Sequence, residues 1–274
     1  MTTSISKAYP HTDNGYLFDT GSDLGAEHIA EIERRFDPLT RQQLPDGVPG
    51  PGARCLDVGS GAGSIAALLA ELAGPDGEMH AVDLDTTRLT GMPKGVTVHQ
   101  HDVRHGLPVD GPFDVIHARL FLQHLPERDQ VLADLVAALA PGGWLLLGDV
   151  SDRPLHVVTA PDVASADLFR RMMHLSHEVV SPARGLSFAW AHQAAGRLLE
   201  HGLVAVEAFE HGSIDVGGGP GCALHANLNR QAQPALLAAG ATAEELADYR
   251  QLMGDPRFRA WSYSFVGTRG RRPA

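Results

Sequence analysis

Between residues 54 and 149 the chain alternates short apolar runs with helical stretches, and no other feature limits its fold as strongly. Residues 54–58, 78–83, 96–101, 113–117 and 144–149 read as strands. Residues 63–72 and 127–139 carry helical spacing, and 86–91 reads as a short helix or turn. Strands that alternate with helices need right-handed crossovers, so they form a parallel sheet covered on both faces. The expected class is therefore α/β and doubly wound.

The flanks keep a different rhythm. Residues 1–21 are polar apart from Tyr16, Leu17 and Phe18. Ile29, Ile32 and Phe36 then share a helical face that should end at Asp37-Pro38, since proline breaks a helix. The Pro- and Gly-rich stretch 43–52 reads as a linker. Beyond Asp149 a long helix is expected over 162–180 and another over 189–201. A strand over 203–210, a glycine-rich break over 217–221 and further helices over 223–253 follow. The pattern closes on a last strand over 260–268 and a basic tail.

Composition narrows the function. The formal net charge is -11, with 43% hydrophobic and 20% charged residues. Such a surface repels phosphate backbones and anionic lipid, which argues against nucleic acid and membrane partners. Only Cys55 and Cys222 are present, and no leader-like or membrane-length apolar run is seen, so a cytoplasmic protein is expected. Fifteen histidines leave metal, catalysis or plain surface open.

The informative motif is CLDVGSGAG at residues 55–63, where the first strand meets the first helix. Gly59, Gly61 and Gly63 let backbone turn sharply and approach a ligand closely, and the helix behind them offers unpaired N–H groups. Asp57 ends the strand beside that loop. Asp83, in AVDLD, ends the next strand, where a carboxylate can take both ribose hydroxyls of a nucleoside. Asp102 and Val103, in HDVR, end the third strand and can read an adenine edge through a carboxylate and a backbone N–H. Dinucleotide binding fits less well. The loop does not complete Gly-x-Gly-x-x-Gly, and Asp57 would repel a pyrophosphate.

Five motifs in order, CLDVGSGAG, AVDLD, HDVR, FDVIHARLFLQHLPE and LAPGGWLLLGD, resemble the class I S-adenosylmethionine-dependent methyltransferases. The resemblance extends to small-molecule enzymes of bacterial secondary metabolism. It implies a Rossmann-like, mostly parallel seven-stranded sheet with an antiparallel last strand, roofed by a helical lid. On that reading residues 1–50 are a lid segment. Residues 51–274 are the methyltransferase domain, with insertions near 151–190 and 213–255, the whole forming one domain. The implied cofactor is S-adenosylmethionine, leaving as S-adenosylhomocysteine. Gly59 and Gly61 would line its methionine part, Asp57 would attract its ammonium, and Asp83 would hold the ribose. Leu84, Asp102 and Val103 would meet the adenine, and Ala118 the methionine part. Tyr16 would close over the cofactor, with helix packing as the alternative.

The implied reaction transfers a methyl group to a small organic metabolite at oxygen, nitrogen or carbon. The alternative is a methyltransferase-like fold that binds the cofactor without transferring a methyl group. His117 and His124 flank the loop after the fourth strand and are the candidate bases, because imidazole titrates near neutrality. Arg119 is a candidate anion contact or a structural ion pair. Phe169, Met173 and His174 in the first insertion are candidate substrate contacts, and core packing explains the apolar pair equally well. HLSHE has the wrong order for a zinc motif, so no metal is expected. The expected partners are a small-molecule substrate and a second copy of the chain.

Overall fold

The computed structural model describes residues 22–261 and 263–274. The elements run α1 (Asp23–Gln43), β1 (Arg54–Val58), α2 (Ser64–Ala73), β2 (Glu78–Asp83), β3 (Val96–Gln100), β4 (Phe113–Arg119), α3 (Arg128–Ala137) and β5 (Leu139–Val150). Then follow β6 (Val157–Thr159), α4 (Val163–His174), a π-helical turn (Leu175–Val180), α5 (Ser181–Ala183), α6 (Trp190–Glu200), β7 (Val204–His211) and β8 (Ile214–Val216). The chain ends with α7 (Pro220–Gln231), α8 (Gln233–Ala238), α9 (Ala243–Leu252), β9 (Arg259–Trp261) and β10 (Phe265–Arg271).

The main sheet has seven strands in the order β3-β2-β1-β4-β5-β10-β7. β10 runs antiparallel to both neighbours, while β1 to β5 pair in parallel. The fold is thus the expected Rossmann-like α/β sheet with an antiparallel final strand.

Period-two alternation sorts the strand residues between two faces. Leu56, Val58, Ile116, Leu145 and Leu147 pack with α3 and α6 in one core. Cys55, Ala81, Val115 and Leu146 pack with α2 in another. A third core lies outside the main sheet, where Phe169, Tyr249 and Phe258 gather α4, α7, α8 and α9. α1 packs along α7 and β10, and its Phe36 stacks on Phe265 with ring centroids 5.1 Å apart.

Four local expectations are corrected. α1 does not end at Pro38 but runs through it to Gln43, because Phe36, Leu39, Thr40 and Gln43 are all buried on its inner face. Tertiary burial there outweighs the lost helical hydrogen bond. The stretch 260–268 is not one strand. It divides into β9 and β10, which belong to different sheets, and the start of the supposed tail, Arg269 to Arg271, extends β10. The long helix over 162–180 turns π-helical after His174. A three-stranded sheet, β6-β9-β8, was not foreseen; its strands of three residues each come from distant parts of the chain.

Candidate active site

The carboxyl ends of β1, β2 and β4 open onto a cavity of about 610 Å³, the location where open parallel sheets hold ligands. Its floor is the glycine loop. Gly59, Gly61 and Gly63 all have positive φ, at 72°, 59° and 89°. A Cβ on Gly59 would lie 2.6 Å from the Phe121 ring, and one on Gly63 would lie 2.6 Å from Met92 Sδ. A Cβ on Gly61 would meet only Ile29, at 3.9 Å, so this residue leaves the cavity side open.

Asp83 closes one side. Its Oδ2 accepts the Gly61 N–H at 2.9 Å and its Oδ1 accepts the Asp85 N–H at 3.1 Å. Each oxygen keeps a further lone pair, which gives the two acceptors that a ribose diol needs. Burial raises the carboxyl pKa, against the pull of the Gly61 N–H. Leu84 and Val103 also line the cavity. Asp102 lines it too, but the Arg104 guanidinium clasps both its oxygens, with Nη2 at 2.6 Å from Oδ2. That pairing holds its carboxyl below the usual range and leaves fewer acceptor sites for an adenine amino group.

At the centre, His117 and Asp57 sit opposite each other in the register of β4 and β1. His117 Nδ1 lies 2.7 Å from Asp57 Oδ1, with both side chains 3% exposed. His117 lines the cavity, and its Nε2 has no hydrogen-bond partner among the described residues. An aspartate on Nδ1 fixes the tautomer that leaves Nε2 able to accept a proton. Arg119, two residues on and on the same face, bonds Asp37 at 2.8 Å and Thr40 Oγ1 at 3.1 Å. It thereby ties α1 to the edge of the site.

His124 also lines the cavity, but its chemistry is unlike that of His117. The Val150 N–H donates to Gln123 Oε1 at 3.2 Å, which orients the amide so that Gln123 Nε2 faces His124 Nε2 at 3.3 Å. The imidazole Nε2 is then an acceptor. Burial pushes its pKa down to about 3. A group that holds a proton so poorly is a weak general base near neutrality, which counts against the basic role expected for it.

Four expected contacts are not on the cavity. Ala118 belongs to the α3–α6 core, because strand parity turns it away from His117. Phe169 is 1% exposed in the lid core, packed on Phe258 and Tyr249. Met173 packs against that core, and His174 faces outward at the end of α4. Tyr16 lies outside the described residues. The chemistry-bearing cavity residues that went unread in the sequence include Arg184, His28, 7% exposed on α1, and Glu33, whose carboxyl is raised by burial and by Asp37 nearby. His28 stands one helical turn before Ile32, so extending the apolar stripe backwards would have found it.

Among the described residues no helix is long and apolar enough to cross a membrane. A family described as "Methyltransferase domain" matches residues 28–201, more than half of the chain. The chain belongs to this methyltransferase family. Methyltransferase GfsG of Streptomyces halstedii is 34% identical over 57% of this chain and 56% of its own. Methyltransferase str2 of Strobilurus tenacellus is 36% identical, over 37% of each chain. The matched region thus spans about a third to just over half of these relatives. A solved phosphoethanolamine N-methyltransferase 2 of Haemonchus contortus, in complex with phosphomonomethylethanolamine and S-adenosylhomocysteine, shares the fold. Its TM-score is 0.50 at 15% identity, covering 91% of this methyltransferase and 53% of that chain.

Proposed function

We propose that this methyltransferase moves a methyl group from S-adenosylmethionine to a small organic metabolite. One observation carries the reading. The left-handed glycine loop, the Asp83 carboxylate and Val103 line one cavity of about 610 Å³ at the strand ends. That volume lies within the ~300–1,000 Å³ typical of small-ligand sites. S-adenosylmethionine supplies an already activated methyl group on a sulfonium. The protein must then bind, align and keep out water.

Gly59 and Gly61 would lie along the methionine part and Asp83 beneath the ribose. Leu84, Val103 and Asp102 would flank the adenine. His117, with Asp57 behind it, is the better-placed base, supported by its cavity position and its unpartnered Nε2. It would take a proton from a hydroxyl or ammonium acceptor at Nε2. Arg119 holds the roof helix and offers a cation to a carboxylate.

Of the expected lid segment, the described residues 22–50 act with the two insertions as the lid of a single catalytic domain. The charge of -11 supports a small acceptor over nucleic acid. Buried, unpaired Cys55 and Cys222 support a cytoplasmic setting. Exposed Ile214 and Trp261, paired on the small sheet, support a second copy as partner. The test is incubation with methyl-labelled S-adenosylmethionine and a panel of neutral, acidic and amine metabolites. Release of S-adenosylhomocysteine with label transfer is expected. Cofactor binding without release across the panel would favour the non-methylating alternative.

A further inference from the structure

Behind the main cavity lies a second, inner chamber of about 80 Å³. His28, Ile32, Leu120 and His124 line both spaces, so these four residues form the boundary between them. Leu120 holds a φ of 49°, a left-handed conformation costly for a branched side chain. Its N–H is fixed by the Gly148 carbonyl at 2.7 Å. Strain of this kind persists where the surroundings over-determine it, commonly at a ligand site.

The chemistry of the inner walls is one-sided. Among the described residues lining the chamber there is no Asp, Glu, Lys or Arg. Its walls are mainly aliphatic and aromatic, with Phe36, Phe188 and Tyr263 as the rings and the Gln123 amide among the uncharged polar members. Phe188 and Tyr263 are stacked within 15° of parallel, and His177 bonds the Tyr263 hydroxyl at 3.0 Å behind them. The π-helical turn contributes Ser176, and Ser181 follows it. Such turns recur at functional sites. The imidazoles do not alter the charge balance, because burial pushes His28 down to about 4 and His124 to about 3. A charged group entering here would lose its water and find no counter-charge among the described walls.

We propose that the inner chamber receives the uncharged, apolar end of the methyl acceptor, past a gate formed by His28, Ile32, Leu120 and His124. This rests on the methyl-transfer reading above. The reactive group of the acceptor then stays on the main-cavity side, within the space lined by His117. The chamber's volume of about 80 Å³ is small beside the 610 Å³ of the main cavity, so only one end of an acceptor fits. An acceptor whose buried end carries a carboxylate, phosphate or ammonium is rejected.

The test uses the full chain loaded with S-adenosylhomocysteine and four probes that share a hydroxymethyl end: benzyl alcohol, its 4-methyl analogue as size control, 4-(aminomethyl)benzyl alcohol and 4-(hydroxymethyl)benzoate, the last two carrying their charge at the end that would enter the chamber. Binding is measured by ligand-detected NMR and calorimetry, and repeated without S-adenosylhomocysteine. Benzyl alcohol and its 4-methyl analogue should bind at least tenfold more tightly than either charged probe. Leu228→Trp, filling a wall found only in the inner chamber, should weaken benzyl alcohol at least tenfold and leave S-adenosylhomocysteine affinity within threefold. Ala232→Leu is the gentler filling variant, should Leu228→Trp fail to fold. Charged probes binding as well as the uncharged alcohols would overturn the proposal. So would no binding of benzyl alcohol, or benzyl alcohol binding indifferent to a folded filling variant. Failure to bind S-adenosylhomocysteine would instead sink the cofactor reading, and the cofactor-free titrations would still decide the chamber's preference.

Discussion

His117 Nδ1 meets Asp57 Oδ1 at 2.7 Å across two paired parallel strands, where both side chains are almost fully buried. The aspartate orients the ring, and the ring in turn satisfies the aspartate. His117→Asn should lower turnover about 10²–10⁴-fold if Nε2 accepts the acceptor's proton. S-adenosylhomocysteine affinity should change less than tenfold. Turnover within threefold of the parent would leave alignment alone to account for the rate.

Asp83 accepts the N–H of the residue at the centre of the loop and still faces the cavity. Asp83→Ala should weaken S-adenosylhomocysteine binding by about 1–3 kcal/mol, from unpaired hydroxyls. Calorimetry reads this directly, and an unchanged affinity would contradict the ribose assignment.

Two glycines with equal φ separate strain from crowding. Gly59 and Gly91 both sit at 72°, but a Cβ on Gly59 meets the Phe121 ring at 2.6 Å while one on Gly91 meets nothing within 4 Å. Gly91→Ala should cost about 1 kcal/mol of backbone strain. Gly59→Ala should cost about 1–3 kcal/mol more, since an already packed site must shift. Urea unfolding of the pair gives the difference, and equal losses would mean that Phe121 moves freely.

Asp149 is 2% exposed, accepts the Trp190 indole N–H at 3.1 Å, and leaves Oδ1 without a hydrogen-bond partner among the described residues. Burial raises its carboxyl to about 8. Between the usual carboxylate range and pH 8 the folded protein therefore holds a proton that the unfolded chain has released. Stability from this group is full at acid pH and falls by about 1.4 kcal/mol per pH unit across that window, levelling above pH 8. Asp149→Asn should remove this slope. Unfolding free energies at pH 5 and pH 8 should differ less in the variant than in the parent. Parallel pH dependence would refute the raised value.

The parallel half of the fold was legible because its signals are local. Alternating apolar runs, a glycine loop and acidic strand ends are all written within a few residues. Parity was legible too, and would have moved Ala118 off the site, since it shares a face with Ile116 rather than with His117. The contact of His117 with Asp57 was not legible, because the register of β1 against β4 is a tertiary property. Pro38 misled for a related reason. Local chemistry predicts a break, but the burial of residues on both sides of it holds the helix together. The three-residue strands of the small sheet carry no periodicity of their own. Phe169 shows the limit of composition: an aromatic in an insertion fits a pocket and a core equally, and only packing decides.

The aromatic core of the lid, built on Phe169, Tyr249 and Phe258, shares no buried member with the two cores that clad the main sheet. Substitutions in one therefore leave the packing of the other intact. A lineage can change what it accepts by rewriting α4 and α7 to α9, while the half that faces the glycine loop and Asp83 stays as it is. The molecule is in this sense two packing units, joined by a further cluster in which Phe36 and Leu39 of α1 meet Val150, Tyr263 and Phe265.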